Sequence, residues 1–134
     1  MKPIKKNALG SGLDNKTSGV VVDSIYAVHT QLGPGLLESA YEACLTHELV
    51  TRGVKVERQV EVPVTYKDVK LDVGFRIDLL VEKSVVVELK TVEDIKPVHE
   101  AQLLTYLKLT GHRIGLLVNF NVKSMKYGIK RLVV

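Results

Sequence analysis

Two neighbouring stretches of the chain alternate apolar and polar residues, and this alternation constrains the fold more than any other feature of the sequence. The stretches cover residues 54–66 and 69–81, and Lys67-Asp68 between them suits a turn. Side chains alternate between the two faces of a strand, so each stretch predicts a strand with one dry face. Pro63 predicts that the first strand lies at a sheet edge or contains a bulge. The core of the fold therefore has to include a β-sheet.

Helices and further strands are predicted around this pair. Apolar residues at helical spacing indicate a helix on either side of Gly33-Pro34-Gly35, and Gly53 suits the C′ position of the second helix. The predicted elements are helices over residues 20–32 and 36–52, strands over 54–66, 69–81 and 85–90, a helix over 97–110 ended by Gly111, and strands over 113–119 and 127–133. The order α-α-β-β-β-α-β-β predicts one α/β domain over residues 19–134. Residues 1–18 show no apolar period and predict a flexible N-terminal arm.

Composition fits a soluble globular domain and excludes several other classes. The chain has 134 residues, 46% of them hydrophobic and 25% charged, and its one cysteine, Cys44, excludes a disulfide scaffold. No run approaches the roughly 20 apolar residues that a membrane-spanning helix requires. No apolar stretch follows the charged N-terminus. We therefore expect no secretory signal, no membrane partner and a cytoplasmic setting.

Charge is distributed unevenly along the chain. The formal net charge is +4, yet every acidic residue lies at or before Glu100, and residues 101–134 carry six basic residues and no acidic one. A basic segment beside an acidic one favours a polyanion held against a carboxylate site. The alternative is a solvated face on a mildly basic domain, which the modest net charge also allows. Charge alone leaves both interpretations open.

Three charged residues interrupt the most apolar strands. Asp78 lies in the second strand, and Glu88 and Lys90 project from one face of the third. A register that sets Asp78 opposite Glu88 leaves Glu82-Lys83-Ser84 as a three-residue loop, whereas a two-residue loop would separate the charges. Three-residue hairpin loops are common, which favours the first register. It would bring two acids and a lysine to one face of the sheet.

Two carboxylates and a lysine in this arrangement suit phosphate-ester chemistry. Paired carboxylates bind hard cations such as Mg²⁺ or Mn²⁺, and a bound cation polarises a phosphoryl oxygen and lowers the pKa of its water. A lysine on the same face could orient that water or stabilise an anionic transition state. A salt-bridge cluster on a solvated sheet face is the simpler interpretation of so short a pattern.

The three residues resemble a known motif, and a second resemblance is more specific. Asp78 and Glu88-Leu89-Lys90 resemble the PD-(D/E)xK nuclease motif, with Arg76-Ile77 where the usual proline would precede the aspartate. Residues 35–41, GLLESAY, match the GxxExxY pattern of a bacterial and archaeal family placed in the same superfamily. The resemblance extends over about residues 20–134. It implies a restriction-endonuclease-like core in which helices flank a mixed sheet.

The resemblance also implies a catalytic set. Asp78 and Glu88 would bind the metal, Glu38 would be an additional acid at that metal, and Lys90 would assist the attacking water. Taken without the resemblance, Glu38 is an exposed acid stabilised by the helix dipole. Tyr41 is expected in the core rather than in the chemistry.

A supporting set follows from the third helix. Gln102 and Tyr106 share one helix face and resemble the QxxxY element of RecB-like nucleases, in which the glutamine supports the metal site and the tyrosine contacts the nucleic-acid backbone. The residues expected to contact nucleic acid combine that tyrosine with basic side chains, namely Arg76, Lys96, Tyr106, Lys108 and Arg113.

These features predict a Mg²⁺- or Mn²⁺-dependent nuclease that hydrolyses phosphodiester bonds of DNA or RNA with metal-activated water. The alternative is a catalytically silent nucleic-acid-binding or assembly module that retains the nuclease fold. An enzyme acting on another phosphate ester ranks last, because nothing in the chain identifies a base or sugar pocket. The alternating residues 54–66 could leave an apolar edge uncovered, so a homodimer stays open.

Overall fold

The protein folds into three helices and a five-stranded sheet. The computed structural model describes the backbone of residues 4–134 and the side chains from residue 12 onward. The helices are α1 (Ile4–Leu32), α2 (Glu38–Thr51) and α3 (Pro97–Thr110). The strands are β1 (Val56–Tyr66), β2 (Val69–Val81), β3 (Val85–Lys90), β4 (Ile114–Asn119) and β5 (Ile129–Val133), and a 3-10 turn at Met125–Tyr127 precedes β5. The predicted order of elements is confirmed.

The strands form one mixed sheet in chain order, β1-β2-β3-β4-β5. β3 and β4 are parallel and are connected by α3, while the other neighbouring pairs are antiparallel. β1 is an edge strand, and its pairing with β2 shifts in register between Pro63 and Thr65. Both expectations drawn from Pro63 are therefore confirmed. The predicted α/β architecture, a mixed sheet flanked by helices, is confirmed as well.

Helices cover both faces of the sheet and enclose two apolar cores. α1 and α2 pack on one face against side chains such as Leu79, Val87 and Leu116. α3 packs on the other face in a smaller core that includes Val86 and Leu117. β3 and β4 are buried on both faces, which explains their nearly continuous apolar sequences. Among the residues that the structure describes, no helix is long and apolar enough to cross a bilayer.

The register between β2 and β3 is the predicted one. Val81 pairs with Val85 and Leu79 pairs with Val87, which leaves Glu82-Lys83-Ser84 as the connecting loop. Glu82 and Lys83 both have φ of +53°, so the loop closes through two consecutive left-handed residues. Continuing the ladder by one pair would set Asp78 opposite Glu88.

The ends of α2 and α3 also follow the sequence closely. α3 begins at Pro97 and ends before Gly111, whose φ of +79° is the left-handed conformation that favours glycine. Gly53, with φ of +84°, follows the end of α2. α2 begins at Glu38, two residues later than predicted.

The N-terminal segment differs from its prediction. The sequence predicted a loose arm over residues 1–18, but α1 begins at Ile4, and the first three residues lie outside the described part of the chain. From Gly12 to Gly19 only Ser18 is buried, and it is polar. This part of α1 therefore needs no apolar stripe, which is the signal by which a helix is predicted from sequence. Contacts of Asp14 with Ser84 and of Asn15 with Arg131 attach this part of α1 to the domain.

Candidate active site

Backbone pairing between β2 and β3 ends just before the two predicted acids. Beyond that point, hydrogen bonds from the acid side chains connect the two strands. The amide of Asp78 donates to Glu88 Oε2 at 2.9 Å, and the amide of Leu89 donates to Asp78 Oδ2 at 2.8 Å. Glu88 is buried and Asp78 is half-buried. Each carboxylate therefore inserts between the strands and commits one oxygen to the neighbouring backbone. The structure brings Asp78 and Glu88 together as the sequence predicted.

A buried tyrosine positions the start of α2, and with it Glu38. The Tyr41 hydroxyl donates to the carbonyl of Gly33 at 2.5 Å and accepts the amide of Leu36 at 3.2 Å. Its ring stacks on Phe120 at a centroid distance of 4.3 Å. The loop before α2 is thus tied to the first turns of the helix. The expectation that Tyr41 belongs to the core is confirmed.

A second acid of α2, Glu42, was not identified from the sequence. Glu42 is buried, and Arg58 contacts its Oε2 with Nε and Nη2, each at 3.1 Å. The Gln59 amide donates to Glu42 Oε1 at 2.6 Å and lies 3.4 Å from Asp78 Oδ1. Glu42 is therefore fully partnered, and it links α2 to the candidate site through β1. The one signal in the sequence was its position four residues after Glu38, on the same helix face.

Burial raises the pKa of all three acids of the site, and neighbouring carboxylates raise each pKa further. Burial and the charge of Asp78 raise the pKa of Glu88 to about 8. Burial raises the pKa of Asp78, with a further contribution from Glu42. The pKa of Glu38 is also raised, first by partial burial and then by the charge of Asp78. Mutual repulsion among carboxylates at one location is the electrostatic condition that a bound cation relieves.

Lys90 lies in the field of these acids without pairing with them. Its ammonium opposes the raised pKa of Glu38, Asp78 and Glu88. Within the described residues, the ion pairs are Arg52–Glu48, Arg58–Glu42 and Lys130–Glu100, and none includes Lys90. The cluster is therefore not the Asp/Glu/Lys salt bridge of the simpler interpretation.

The donor set fits a hard divalent cation in its chemistry. Asp78 Oδ1 and Glu88 Oε1 are not committed to the backbone, and carboxylate oxygens are what Mg²⁺ and Mn²⁺ prefer. In the side-chain positions observed, no three His, Cys, Asp or Glu side chains of the described residues are close enough to surround one ion. Glu38 is exposed and can rotate, so it is the acid that would move to complete the set.

The two predicted residues of α3 differ in what they contact. The Tyr106 ring stacks on Phe75 of β2 at a centroid distance of 4.0 Å. Burial raises the pKa of Tyr106, and the charges of Glu88 and Asp78 raise it further, so this side chain lies within electrostatic range of the acids. Gln102 is exposed on the same helix face, one turn nearer the N-terminus, and makes no hydrogen bond within the described residues.

The predicted basic residues lie at two ends of the sheet. Arg76 is exposed two residues before Asp78, and Lys96 is exposed at the N-terminus of α3. Arg113 precedes β4, whose first residue pairs with Val85, so it lies roughly 20 Å along the strands from the level of Lys90. Lys108 lies near the same end, in the last turn of α3. The structure does not bring Arg113 and Lys108 to the acids.

A buried asparagine fixes the chain after Lys90, and the sequence analysis missed it. Asn119 pairs with Lys90 across β3 and β4. Its side chain donates to the carbonyl of Val92 at 2.9 Å and accepts the amide of Val92 at 3.1 Å. The segment that follows β3 is thus held by both the backbone amide and the backbone carbonyl of Val92.

A family model described as the PD-(D/E)XK nuclease superfamily matches residues 15–132. The chain belongs to this superfamily. Enzymes of the PD-(D/E)XK superfamily generally use divalent metal ions, and membership indicates a nuclease-like function with nucleic acid as the substrate. No curated protein and no solved structure matches the chain. The closer resemblance to the GxxExxY family stays a prediction.

Proposed function

We propose that this chain is a nuclease that hydrolyses phosphodiester bonds of nucleic acid with water activated by Mg²⁺ or Mn²⁺. The observation that carries the proposal is the insertion of Asp78 and Glu88 between β2 and β3, which leaves one oxygen of each buried or half-buried carboxylate without a backbone hydrogen bond. The raised pKa of Glu88, about 8, supports it, because burial and then the charge of Asp78 disfavour the carboxylate when no cation is bound.

Each residue of the site has a distinct task in this proposal. Asp78 and Glu88 would hold the cation, and Glu38, at the start of α2, would supply the additional carboxylate. The cation, once bound, polarises the phosphoryl group and lowers the pKa of a water molecule. Lys90 Nζ is free of ion pairs among the described residues, so it can donate to that water or to a phosphate oxygen as negative charge develops.

The nucleic acid is proposed to approach from the side on which α3 begins. Arg76 and Lys96 would contact phosphates on either side of the acids, and Tyr106 would contact the backbone next to the scissile bond. Gln102 would support the metal site from the same helix face. Lys108 and Arg113 would contact only a longer substrate, because they lie at the far end of the sheet.

The proposal is tested by cleavage assays on single- and double-stranded DNA and RNA with Mg²⁺ or Mn²⁺. We expect Asp78→Asn and Lys90→Ala to lose at least about 100-fold in rate, since each removes a metal ligand or a group acting on the transition state. Asp72→Asn is the matched control, because Asp72 is an exposed acid of the same strand. Cleavage that survives both substitutions would overturn the assignment.

The same protein distinguishes the silent module from the nuclease. A catalytically silent module would bind nucleic acid without metal-dependent cleavage of any of the four substrates. Titration calorimetry with Mn²⁺ on the wild type supplies the second readout, since the proposed site must bind the cation before it can cleave. The absence of Mn²⁺ binding would favour the module.

A further inference from the structure

One residue inside a strand adopts left-handed backbone, and its side chain contacts two acids. Gln59 has φ of +50°, a conformation that residues with a side chain rarely adopt. It lies opposite Asp78, at the position missing from the β1–β2 ladder between the pairs Arg58–Leu79 and Val60–Ile77. Uncommon backbone of this kind persists where surrounding contacts hold it, and it concentrates at functional sites.

The side chain of Gln59 is suited to join two carboxylates. An amide NH₂ group carries two N–H donors, so one glutamine can serve two acceptors at once. The bond to Glu42 Oε1 is short, at 2.6 Å, and the distance to Asp78 Oδ1 is 3.4 Å, longer than a usual hydrogen bond. The amide is therefore anchored on Glu42 and directed at Asp78 without saturating the oxygen that a cation would use.

We propose that Gln59 is a positioning residue of the candidate site, which ties the acids of α2 to Asp78 and sets the separation of Glu38 from Asp78. The inference rests on the proposed function. Glu38 lies one helical turn before Glu42, so a link that fixes Glu42 relative to Asp78 also limits where Glu38 can reach. Arg58 holds the other oxygen of Glu42, which prevents the anchor itself from turning. Side chains that orient metal ligands in this way affect affinity for the metal without contacting it.

The left-handed conformation also has a structural effect that must be separated from the role of the amide. Val56 packs in the core under α1 and α2, whereas Val60 and Val62, of the same alternation, pack in the core under α3. The apolar side chains of β1 therefore point to one face of the sheet before Gln59 and to the other face after it. Glycine adopts positive φ readily, so Gln59→Gly is compatible with this change of face while it removes the side chain that carries the amide.

The experiment compares Gln59→Gly with Lys83→Gly in the full chain. Lys83 has φ of +53° in an exposed loop and makes no hydrogen bond within the described residues, so it is the matched control for glycine at a left-handed position. Thermal unfolding without metal reports on folding, and titration calorimetry with Mn²⁺ reports on the site. We expect Lys83→Gly to melt at or above the wild-type temperature, and Gln59→Gly to melt close to it, because relief of the left-handed strain offsets the lost hydrogen bond to Glu42. We expect only Gln59→Gly to bind Mn²⁺ about tenfold more weakly.

A second measurement shows whether Gln59 acts through Glu42. If the two form one unit, the Mn²⁺ affinity of the double variant Gln59→Gly/Glu42→Gln should be no weaker than that of the weaker single variant. If the loss of Mn²⁺ affinity in the double variant equals the product of the two single-variant losses, the link through Glu42 is overturned. Mn²⁺ affinity of Gln59→Gly equal to the wild type, or reduced only as far as folding is reduced, would overturn the positioning role.

The outcome for Gln59 is distinguishable from the outcome for the nuclease. Wild-type protein that binds Mn²⁺ but cleaves no nucleic acid, combined with weaker binding by Gln59→Gly, would support the positioning role and overturn the nuclease. Cleavage by the wild type with unchanged Mn²⁺ affinity in Gln59→Gly would support the nuclease and overturn the positioning role. A wild type that binds no Mn²⁺ would overturn both.

Discussion

The amide of Asp78 donates to the Glu88 carboxylate at 2.9 Å, at the point where the next rung of the β2–β3 ladder would form. The Asp78 carboxylate in turn accepts the amide of Leu89. Two strands that are paired by backbone up to Leu79 and Val87 are thus paired by side chains beyond that point. The two acids, one of them buried, therefore take the place of backbone pairing between β2 and β3 at this level.

The first prediction concerns the stability of the metal-free protein. The pKa of Glu88 is about 8 in the folded protein against 4.5 for an ordinary glutamate, so the folded state binds the proton more tightly than the unfolded state. Its stabilising contribution is complete below about pH 4.5 and is lost as pH rises through about 8, with a slope of up to about 1.4 kcal/mol per pH unit. Urea unfolding between pH 5 and 8 in the presence of a chelator measures this loss of unfolding free energy.

The matched variant for that measurement is Glu88→Gln, which cannot titrate. The difference in unfolding free energy between wild type and variant isolates Glu88 from other groups, such as His112, whose pKa is lowered by burial. We expect the unfolding free energy of Glu88→Gln to rise relative to that of the wild type as pH rises. A difference that is flat across this range would contradict the raised pKa.

The second prediction is that cation binding releases a proton. Glu88 is mostly protonated at pH 7 in the metal-free protein, because its pKa is about 8, and a carboxyl group must lose its proton to coordinate a cation. We expect close to one proton released per Mn²⁺ at pH 7 and few at pH 9. Calorimetry in two buffers of different ionisation enthalpy counts the protons. Equal apparent enthalpies in both buffers at pH 7 would show that the cation displaces no proton from Glu88.

Much of the site could be predicted from the sequence because it depends on residues that are close together along the chain. Alternation along a strand and the length of one loop are enough to set Asp78 opposite Glu88, and the observed register agrees. Gly111 ends α3 for a reason that also needs no tertiary information, since glycine takes the left-handed conformation readily.

The missed residues depend on tertiary packing. Glu42 is one acid among several on α2, and its partners Arg58 and Gln59 become neighbours only when α2 packs across the sheet. Glutamine is not a residue that predicts positive φ, so the conformation of Gln59 could not be inferred. Arg113 was expected near the site because of its charge, but the direction of β4, which charge does not reveal, places it at the other end.

The third prediction tests how Tyr41 holds the start of α2. Tyr41→Phe keeps the ring that stacks on Phe120 and removes the hydroxyl that contacts Gly33 and Leu36. We expect a loss of about 1–2 kcal/mol in unfolding free energy, corresponding to two hydrogen bonds. The same substitution at Tyr127, which is 77% exposed, should change stability by less than about 0.5 kcal/mol. If both variants unfold at the same urea concentration as wild type, the loop is not held by the hydroxyl.

The fourth prediction concerns the segment that follows Lys90. Asn119→Ala removes the donor to the Val92 carbonyl and the acceptor of the Val92 amide together, which should cost about 1–3 kcal/mol in unfolding free energy. Neighbouring Asn121 is exposed and reaches the same carbonyl only at 3.4 Å, so Asn121→Ala should cost less than about 0.5 kcal/mol. Because Asn119 pairs with Lys90 across the parallel strands, cleavage under conditions where both variants are fully folded should fall for Asn119→Ala alone. Equal cleavage by the two variants would show that the path of the chain after β3 does not influence Lys90.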